Sequence, residues 1–179
     1  MKTSELPADV TLYRAFMPRW AAEPLSGAGA ALSGGRFNRH GVPALYLSLE
    51  LATAVAEYQQ AAPFLPPFTM VTYRAKLPPL VDVRLLDGQW DPLWNDWDED
   101  WRTLLVNRIE PPSWVLGDLV RRAGLPGILF PSAAVAGGLN LVLFLGSLAV
   151  DGVLSIQEPA AGRAQLGAGR RMSRGAAWG

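Results

Sequence analysis

The segment "GGRFNRHGVPALYLSLELATAVAEY", residues 34–58, places a strand pattern directly before a helix pattern. Leu45 and Leu47 alternate with Tyr46 and Ser48, which is the two-residue period of a strand with two distinct faces. The alanine-rich stretch that follows lacks this alternation and favours a helix. The segment therefore predicts a strand that runs straight into a helix, with its polar side chains near the junction.

Strand and helix patterns alternate along the rest of the chain. The predicted strands are residues 11–16, 44–48, 69–77, 127–132, 140–145 and 153–157. The predicted helices are residues 50–62, 91–108 and 113–123, the last opened by Ser113 and closed near Gly124. This order indicates a mixed α/β or α+β fold.

Composition sets the protein class. The chain has 179 residues, of which 50% are hydrophobic and 18% charged, so it is long enough to bury a core as one domain. It has no cysteine and one histidine, His40. Disulfides and thiol nucleophiles are excluded, and zinc sites lack their usual ligands. We expect no metal and a reducing, cytoplasmic environment.

Charge is distributed unevenly although 16 lysines and arginines balance 16 aspartates and glutamates. Residues 159–179 carry four arginines and no acidic residue, which leaves residues 1–158 mildly acidic. We therefore expect no nucleic-acid interface on the body of the protein. Residues 1–158 are predicted to form the domain and residues 159–179 a flexible basic tail.

Residues 123–150 carry no charge and are long enough to cross a bilayer. Prolines, glycines and Asn140 interrupt them, however, which favours two buried strands joined by a loop over a membrane span. The amino-terminal residues lack the pattern of a signal peptide. No membrane association is expected.

Four tryptophans, Trp90, Trp94, Trp97 and Trp101, share one face of the predicted helix 91–108 and its preceding residue. Such a stripe is usually part of the core. Four indoles in one helix also leave open a surface that binds a partner.

A glycine-rich stretch, residues 27–35, precedes Arg36 but matches neither the Rossmann nor the P-loop fingerprint. Its glycines would let backbone amides approach a pyrophosphate, and Arg36 would complete the anion site. A mobile loop with one surface arginine is an equally good interpretation of this stretch alone.

Tyr46, Glu57 and Ser132 are further candidates. Tyr46 lies mid-strand, where its ring either packs in the core or forms the flat wall of a site for an aromatic ring. Glu57 shares a helix face with Ala54 and Ala61, although a solvated surface position is the usual one for glutamate.

Several motifs together resemble the RES domain, the toxin half of Xre-RES toxin–antitoxin pairs, and their order is similar to that of the ParT-like branch. The matching motifs are "LYRAF" (12–16), "GAALSGGRFNRHGVPALYLSLELATAVAEY" (29–58), "PPSWVLGDL" (111–119) and "ILFPSAAVAGGLNLVLF" (128–144). Each motif is weak alone, but their order and spacing are fairly specific. Phe37 departs from the pattern, since many relatives carry tryptophan there.

The resemblance implies a single domain like that of ADP-ribosyltransferase toxins, with central mixed or antiparallel sheets flanked by helices, and NAD as substrate. The arginine, glutamate and serine of the family name fall on Arg36, Glu57 and Ser132, with Arg14 and Tyr46 as further site residues. The implied roles are pyrophosphate binding by Arg36 and Arg14 and nicotinamide stacking by Tyr46. Glu57 would stabilise the ribosyl cation, and Ser132 would orient Glu57 or the ribose.

Transfer of ADP-ribose to a host protein is the first functional hypothesis that follows from the resemblance. Degradation of NAD by a glycohydrolase or phosphorylase reaction is the second, and an inactive NAD- or protein-binding module is the third. The resemblance also implies an Xre-type antitoxin as partner.

Overall fold

The computed structural model describes residues 1–60, 62–85, 95–148 and 152–157. These residues form strands β1 (Thr3–Ser4), β2 (Val10–Phe16), β3 (Leu45–Ser48), β4 (Thr69–Lys76), β5 (Leu80–Asp82), β6 (Gly127–Pro131), β7 (Leu139–Leu143) and β8 (Val153–Ile156). The helices are α1 (Ala28–Ser33), α2 (Leu51–Gln59), α3 (Trp101–Val106), α4 (Pro112–Arg122) and α5 (Leu145–Leu148), with a short 3₁₀ turn at Pro18–Trp20.

The strands form one mixed sheet in the order β1-β5-β6-β7-β3-β2-β4-β8. β5 and β6 are parallel, and the other neighbours are antiparallel. β2 meets β3 through a single pair, Tyr13 with Ser48, but pairs with β4 along its whole length. The sheet therefore nearly divides between β3 and β2. The mixed α/β fold predicted from the sequence is confirmed.

Both faces of the central strands are buried, in two separate apolar clusters. Leu45 and Leu47 of β3 lie in the first cluster, together with Leu12 and Tyr73. The second cluster, on the other face, contains Phe37, Ala44, Leu116, Val120, Ile128, Phe130 and Val142, with Tyr46 packed against it. The predicted division of β3 into two faces is confirmed.

Helix α4 covers the second cluster. Leu116 and Val120, four residues apart, are fully buried on one helix face. Between them, Gly117 lies so close to the Phe37 carbonyl that a Cβ atom at position 117 would overlap it. The helix begins at Pro112 rather than at Ser113 as predicted, and the Ser113 hydroxyl has no hydrogen-bond partner in the described part of the chain.

The prediction of a helix over residues 91–108 is wrong for residues 95–100. Residues 95–98 form a turn, and α3 begins at Trp101 because the Asp100 carboxylate accepts the N–H groups of Arg102 and Thr103. Residues 91–94 lie outside the described residues. The indole spacing gave a helical period, but it carried no information on where the helix is capped.

Other boundaries also differ from the prediction. The glycine-rich stretch contains α1, and the strand predicted over 140–145 ends at Leu143 before α5 begins. Helix α2 ends at Gln59, where Gln60 takes a φ of 47°, instead of running to residue 62. The predicted tail, residues 159–179, lies outside the described residues.

The uncharged segment 123–150 forms core strands as predicted. Ile128, Leu129 and Val142 are each at most 1% exposed. Of the helices in the described ranges, none is long and apolar enough to cross a membrane.

Candidate functional site

Arg36 lies on a tight loop that the neighbouring backbone fixes. Gly34 has a φ of 70°, a conformation that favours glycine, and the Gly35 N–H donates to the Asn38 carbonyl at 2.9 Å. The Trp114 indole N–H of α4 donates to the Gly35 carbonyl at 2.7 Å. Both ends of the turn are therefore anchored, and Arg36 projects from a fixed point.

The side chains of Tyr46 and Asn38 hold the same loop through hydrogen bonds. The Tyr46 hydroxyl accepts the Phe37 N–H at 2.9 Å and donates to Asn38 Oδ1 at 2.8 Å. Asn38, 2% exposed, donates through Nδ2 to the carbonyls of Ala30 and Val42, both at 2.9 Å. Burial raises the pKa of Tyr46, so the phenol is neutral and can make both bonds. The hydroxyl of Tyr46 therefore supports the arginine loop, and its half-buried ring packs against the second cluster.

The Arg36 guanidinium is bonded to main-chain carbonyls. Its Nη1 donates to the carbonyl oxygens of Trp97, Asp98 and Glu99 at 3.4, 3.2 and 3.3 Å. Burial lowers the pKa of Arg36, while the nearby Glu57 charge acts in the opposite direction. An arginine stays protonated in proteins, so this is a fixed cation next to a carboxylate.

Glu57 lies on the last turn of α2, where two side chains donate to one of its oxygens. Ser132 Oγ lies 2.7 Å from Glu57 Oε1, and Asn140 Nδ2 lies 2.6 Å from the same atom. The Ser132 hydroxyl in turn accepts the N–H groups of Ala134 and Val135 at 3.1 Å each. The structure thus brings together three of the sequence-predicted residues, Arg36, Glu57 and Ser132, and Tyr46 supports the loop of the first.

Sequence reasoning missed Asn38, Ser48 and Asn140. Ser48 Oγ lies 2.7 Å from Asn140 Oδ1, and both residues are at most 5% exposed. The signal in the sequence that points to Asn140 is a single amide side chain within the otherwise apolar run "LNLVLFL". A buried polar side chain requires a partner, and here that partner is Glu57.

Arg102 is a second cation that sequence reasoning missed. Its Nη2 donates to Gln60 Oε1 at 3.2 Å, just beyond the end of α2, and its charge contributes to lowering the pKa of Arg36. Two guanidinium groups, Arg36 and Arg102, therefore lie close enough to interact, an arrangement that suits a substrate with an anionic part.

The structure does not bring Arg14 into this group. Arg14 projects from the same side of β2 as Leu12, and its Nη1 donates to the carbonyls of Pro24 and Ser26 at 3.0 and 3.2 Å. Burial lowers the pKa of Arg14, and the nearby Tyr73 opposes this shift. Its predicted pyrophosphate contact rests on the resemblance alone.

Of the four tryptophans in the predicted stripe, two are described. Trp97 stacks on Phe37 with ring centroids 5.9 Å apart, and Trp101 is 9% exposed. Trp97 is half-buried against the second cluster and Trp101 is buried, which favours the core interpretation for both. Trp90 and Trp94 lie outside the described residues.

Potential metal ligands are scattered. Across residues 1–60, 62–85, 95–148 and 152–157, no group of three or more histidine, aspartate or glutamate side chains could hold a metal ion. His40 lies 3.1 Å through Nδ1 from the Leu32 carbonyl and packs edge-on against Trp114.

Comparisons with known proteins bear on the fold and the family of this chain. A chain of the M. tuberculosis MbcT-MbcA toxin-antitoxin complex has the same fold, with a TM-score of 0.63 and 23% sequence identity over 87% of this chain and 84% of that one. No curated protein sequence matches the chain. The sequence model of the RES domain matches residues 11–161, a range that includes Arg36, Tyr46, Glu57 and Ser132. This chain therefore belongs to the RES domain family.

Proposed function

We propose that this protein is the toxin of a toxin–antitoxin pair, and that it cleaves NAD at the nicotinamide–ribose bond and transfers ADP-ribose to a host protein. The observation that carries the proposal is the Glu57 carboxylate, held by Ser132 and Asn140 at 2.7 and 2.6 Å beside the Arg36 cation. Membership of the RES family supports the choice of NAD as substrate.

The chemistry requires one carboxylate. When the bond between ribose C1′ and the nicotinamide nitrogen breaks, its electron pair moves to the ring nitrogen and cancels the positive charge there. The leaving group is neutral, so no general acid is required, in contrast to ordinary glycosidases with two carboxylates. Glu57 would accept a hydrogen bond from a ribose hydroxyl and stabilise the cation that develops at C1′. The acceptor's nucleophile then attacks C1′, and its proton leaves to Glu57 or to water.

Arg36 would bind the pyrophosphate of NAD. To do so, it exchanges its three bonds to the carbonyls of residues 97–99 for charge-assisted bonds to phosphate oxygens, which are stronger. Arg102, whose charge acts on Arg36, would add a second positive charge. The ring of Tyr46 would stack on nicotinamide while its hydroxyl keeps the Arg36 loop in place. Ser132 would orient Glu57.

An Xre-type antitoxin is the partner we propose. The solved structure with the same fold is part of a toxin-antitoxin complex, which supports a protein inhibitor for this chain as well. An enzyme that consumes NAD or modifies host proteins needs such an inhibitor in its own cell. The proposed compartment is the cytoplasm, where NAD and acceptor proteins are available.

Incubation of the protein with NAD labelled in the adenylate part and with cell lysate tests the proposal. We expect label on one or a few discrete protein bands. Label in small soluble products alone would show NAD degradation by a glycohydrolase or phosphorylase reaction instead. Unchanged NAD would show an inactive binding module. Glu57→Gln is the matched control and should leave the label on intact NAD.

A further inference from the structure

Within the described part of the chain, the two side chains that donate to Glu57 reach the same oxygen. Ser132 Oγ and Asn140 Nδ2 donate to Oε1, and among the described residues no donor lies on Oε2. A carboxylate has room for about four hydrogen bonds, two on each oxygen. The two oxygens of Glu57 are therefore not equivalent: one is occupied by the protein and the other can accept from a substrate.

The direction of the Asn140 amide follows from its second partner. Asn140 Oδ1 lies 2.7 Å from Ser48 Oγ, and a hydroxyl can donate to that oxygen while the amide nitrogen donates to the carboxylate. The reverse orientation would place the amide oxygen against Glu57 Oε1, two acceptors without a proton. Asn140 and Ser48 are 5% and 4% exposed, so water cannot replace either bond.

Asn140 also lies on a more rigid element than Ser132. It belongs to β7, which is paired on both sides by β3 and β6, whereas Ser132 follows the end of β6. A donor on a central strand keeps its position better than one on a loop. Ser48 is on β3 and pairs directly with Asn140, so strand pairing fixes the chain of hydrogen bonds from Ser48 through Asn140 to Glu57.

We propose that Asn140, supported by Ser48, is a positioning residue that fixes Glu57 Oε1 and thereby directs Oε2 at the ribose hydroxyl of the substrate. The proposal rests on the proposed function, since it assigns the orientation of the carboxylate that NAD cleavage uses. It concerns a residue that touches Glu57 and not the substrate.

The test is the pH profile of Asn140→Asp, which keeps the shape of the side chain but replaces the donor with a second carboxylate. Two carboxylates at hydrogen-bond distance cannot both ionise readily, so the pair keeps one proton up to a higher pH than a single carboxyl group would. With that proton present, the introduced carboxyl donates to Glu57 as the amide did. Arg36 is the cation beside the pair, and its charge limits how far the proton is retained.

We expect the kcat of Asn140→Asp to lie within about threefold of the parent near pH 5 and to fall at least about tenfold by pH 8, with a smaller change in KM. The parent should not show this fall. Asn107→Asp, an exposed asparagine at the end of α3, is the matched control and should follow the parent at every pH.

The folding of the variant is checked by thermal unfolding at each pH. The folded pair binds a proton that the unfolded chain releases near pH 4, so the unfolding temperature of Asn140→Asp should fall relative to the parent as pH rises. A kcat that is unchanged, or reduced equally at all pH values, would overturn the role of Asn140. A parent that leaves NAD intact would instead overturn the proposed function, and the inference with it.

Discussion

Glu57 is the residue at which the proposed chemistry is decided, because its oxygens have separate tasks. Glu57→Gln tests this division. A glutamine carbonyl can replace Oε1 as acceptor for Ser132 and Asn140, so we expect the variant to fold and to bind NAD. Its amide nitrogen would then occupy the position of Oε2, where it offers no negative charge and no acceptor. We expect kcat to fall about 10²–10³-fold, the usual cost of losing one such electrostatic contact.

Steady-state turnover assays give kcat for this variant, and calorimetry gives its dissociation constant for NAD. Turnover at the parent rate would show that Glu57 has no catalytic role.

Arg36 belongs to substrate binding in the proposed mechanism. We expect Arg36→Ala to raise KM about 10- to 100-fold with little change in kcat, because a pyrophosphate contact serves the ground state and the transition state alike. Initial-rate kinetics over a range of NAD concentrations separate the two constants. Arg122→Ala, on the exposed end of α4, is the matched control. A reduced kcat at unchanged KM would place Arg36 at the ribose instead.

The residues of the candidate site could be predicted from the sequence where they belong to a recognisable motif. Arg36, Glu57 and Ser132 lie in motifs that resemble the RES domain, and the structure places them together. Asn140 and Ser48 lie in apolar strands, where the role of a polar side chain cannot be inferred until its partner across the sheet is known. Arg14 lies in a motif as well, but which side of β2 it projects from depends on strand register.

At the scale of elements, the contact between α4 and the Arg36 loop explains the glycine at position 117. We expect Gly117→Ala to lower the free energy of unfolding by about 1–3 kcal/mol, since the added Cβ atom has no space beside the Phe37 carbonyl. Denaturant unfolding measures the change. Gly29→Ala in α1 is the matched control, because a Cβ there meets nothing within 4 Å.

For this control, alanine's higher helix propensity should leave stability unchanged or raise it by up to about 1 kcal/mol. Equal midpoints for Gly117→Ala and the parent would mean that α4 shifts without cost.

Whole elements were predicted well where the alternation of side chains determined the structure, and poorly where a helix cap determined it. The two faces of β3 follow directly from the alternation of Leu45 and Leu47 with Tyr46. The start of α3 depends on the hydrogen bonds that the Asp100 carboxylate accepts from the main chain. These local bonds start the helix at a point that the spacing of the indoles does not indicate. The two-residue strand β1 is too short to show any period.

At the scale of the whole molecule, the mechanism uses no metal ion. We expect activity to survive prolonged incubation with EDTA, because the proposed roles are filled by a carboxylate, a hydroxyl, amides and guanidinium groups. NAD consumption is measured before and after chelation. Loss of activity that Mg²⁺ or Zn²⁺ restores would contradict the mechanism.

Inhibition by the antitoxin is the second prediction at this scale. We expect the complex with the protein encoded by the neighbouring gene to bind NAD at least about tenfold more weakly than the free chain. A partner carboxylate can take the phosphate position at Arg36, since a guanidinium binds both groups in the same way. Calorimetry with NAD, with and without the partner, measures the difference. Unimpaired binding would exclude occlusion and leave inhibition at the acceptor surface.

The bonds between Arg36 and residues 97–99 are made by carbonyl oxygens, which every amino acid provides. The side chains of Asp98 and Glu99 are exposed, and the hydrogen bonds to the guanidinium come from the main chain, although the Asp98 charge favours the charged form of Arg36. Substitutions in this segment therefore preserve the three hydrogen bonds to Arg36. An insertion or a deletion would not, since a change in length would bring other carbonyls to the guanidinium. A substitution at position 98 or 99 can therefore change the charge beside the arginine while the three main-chain hydrogen bonds that position it remain.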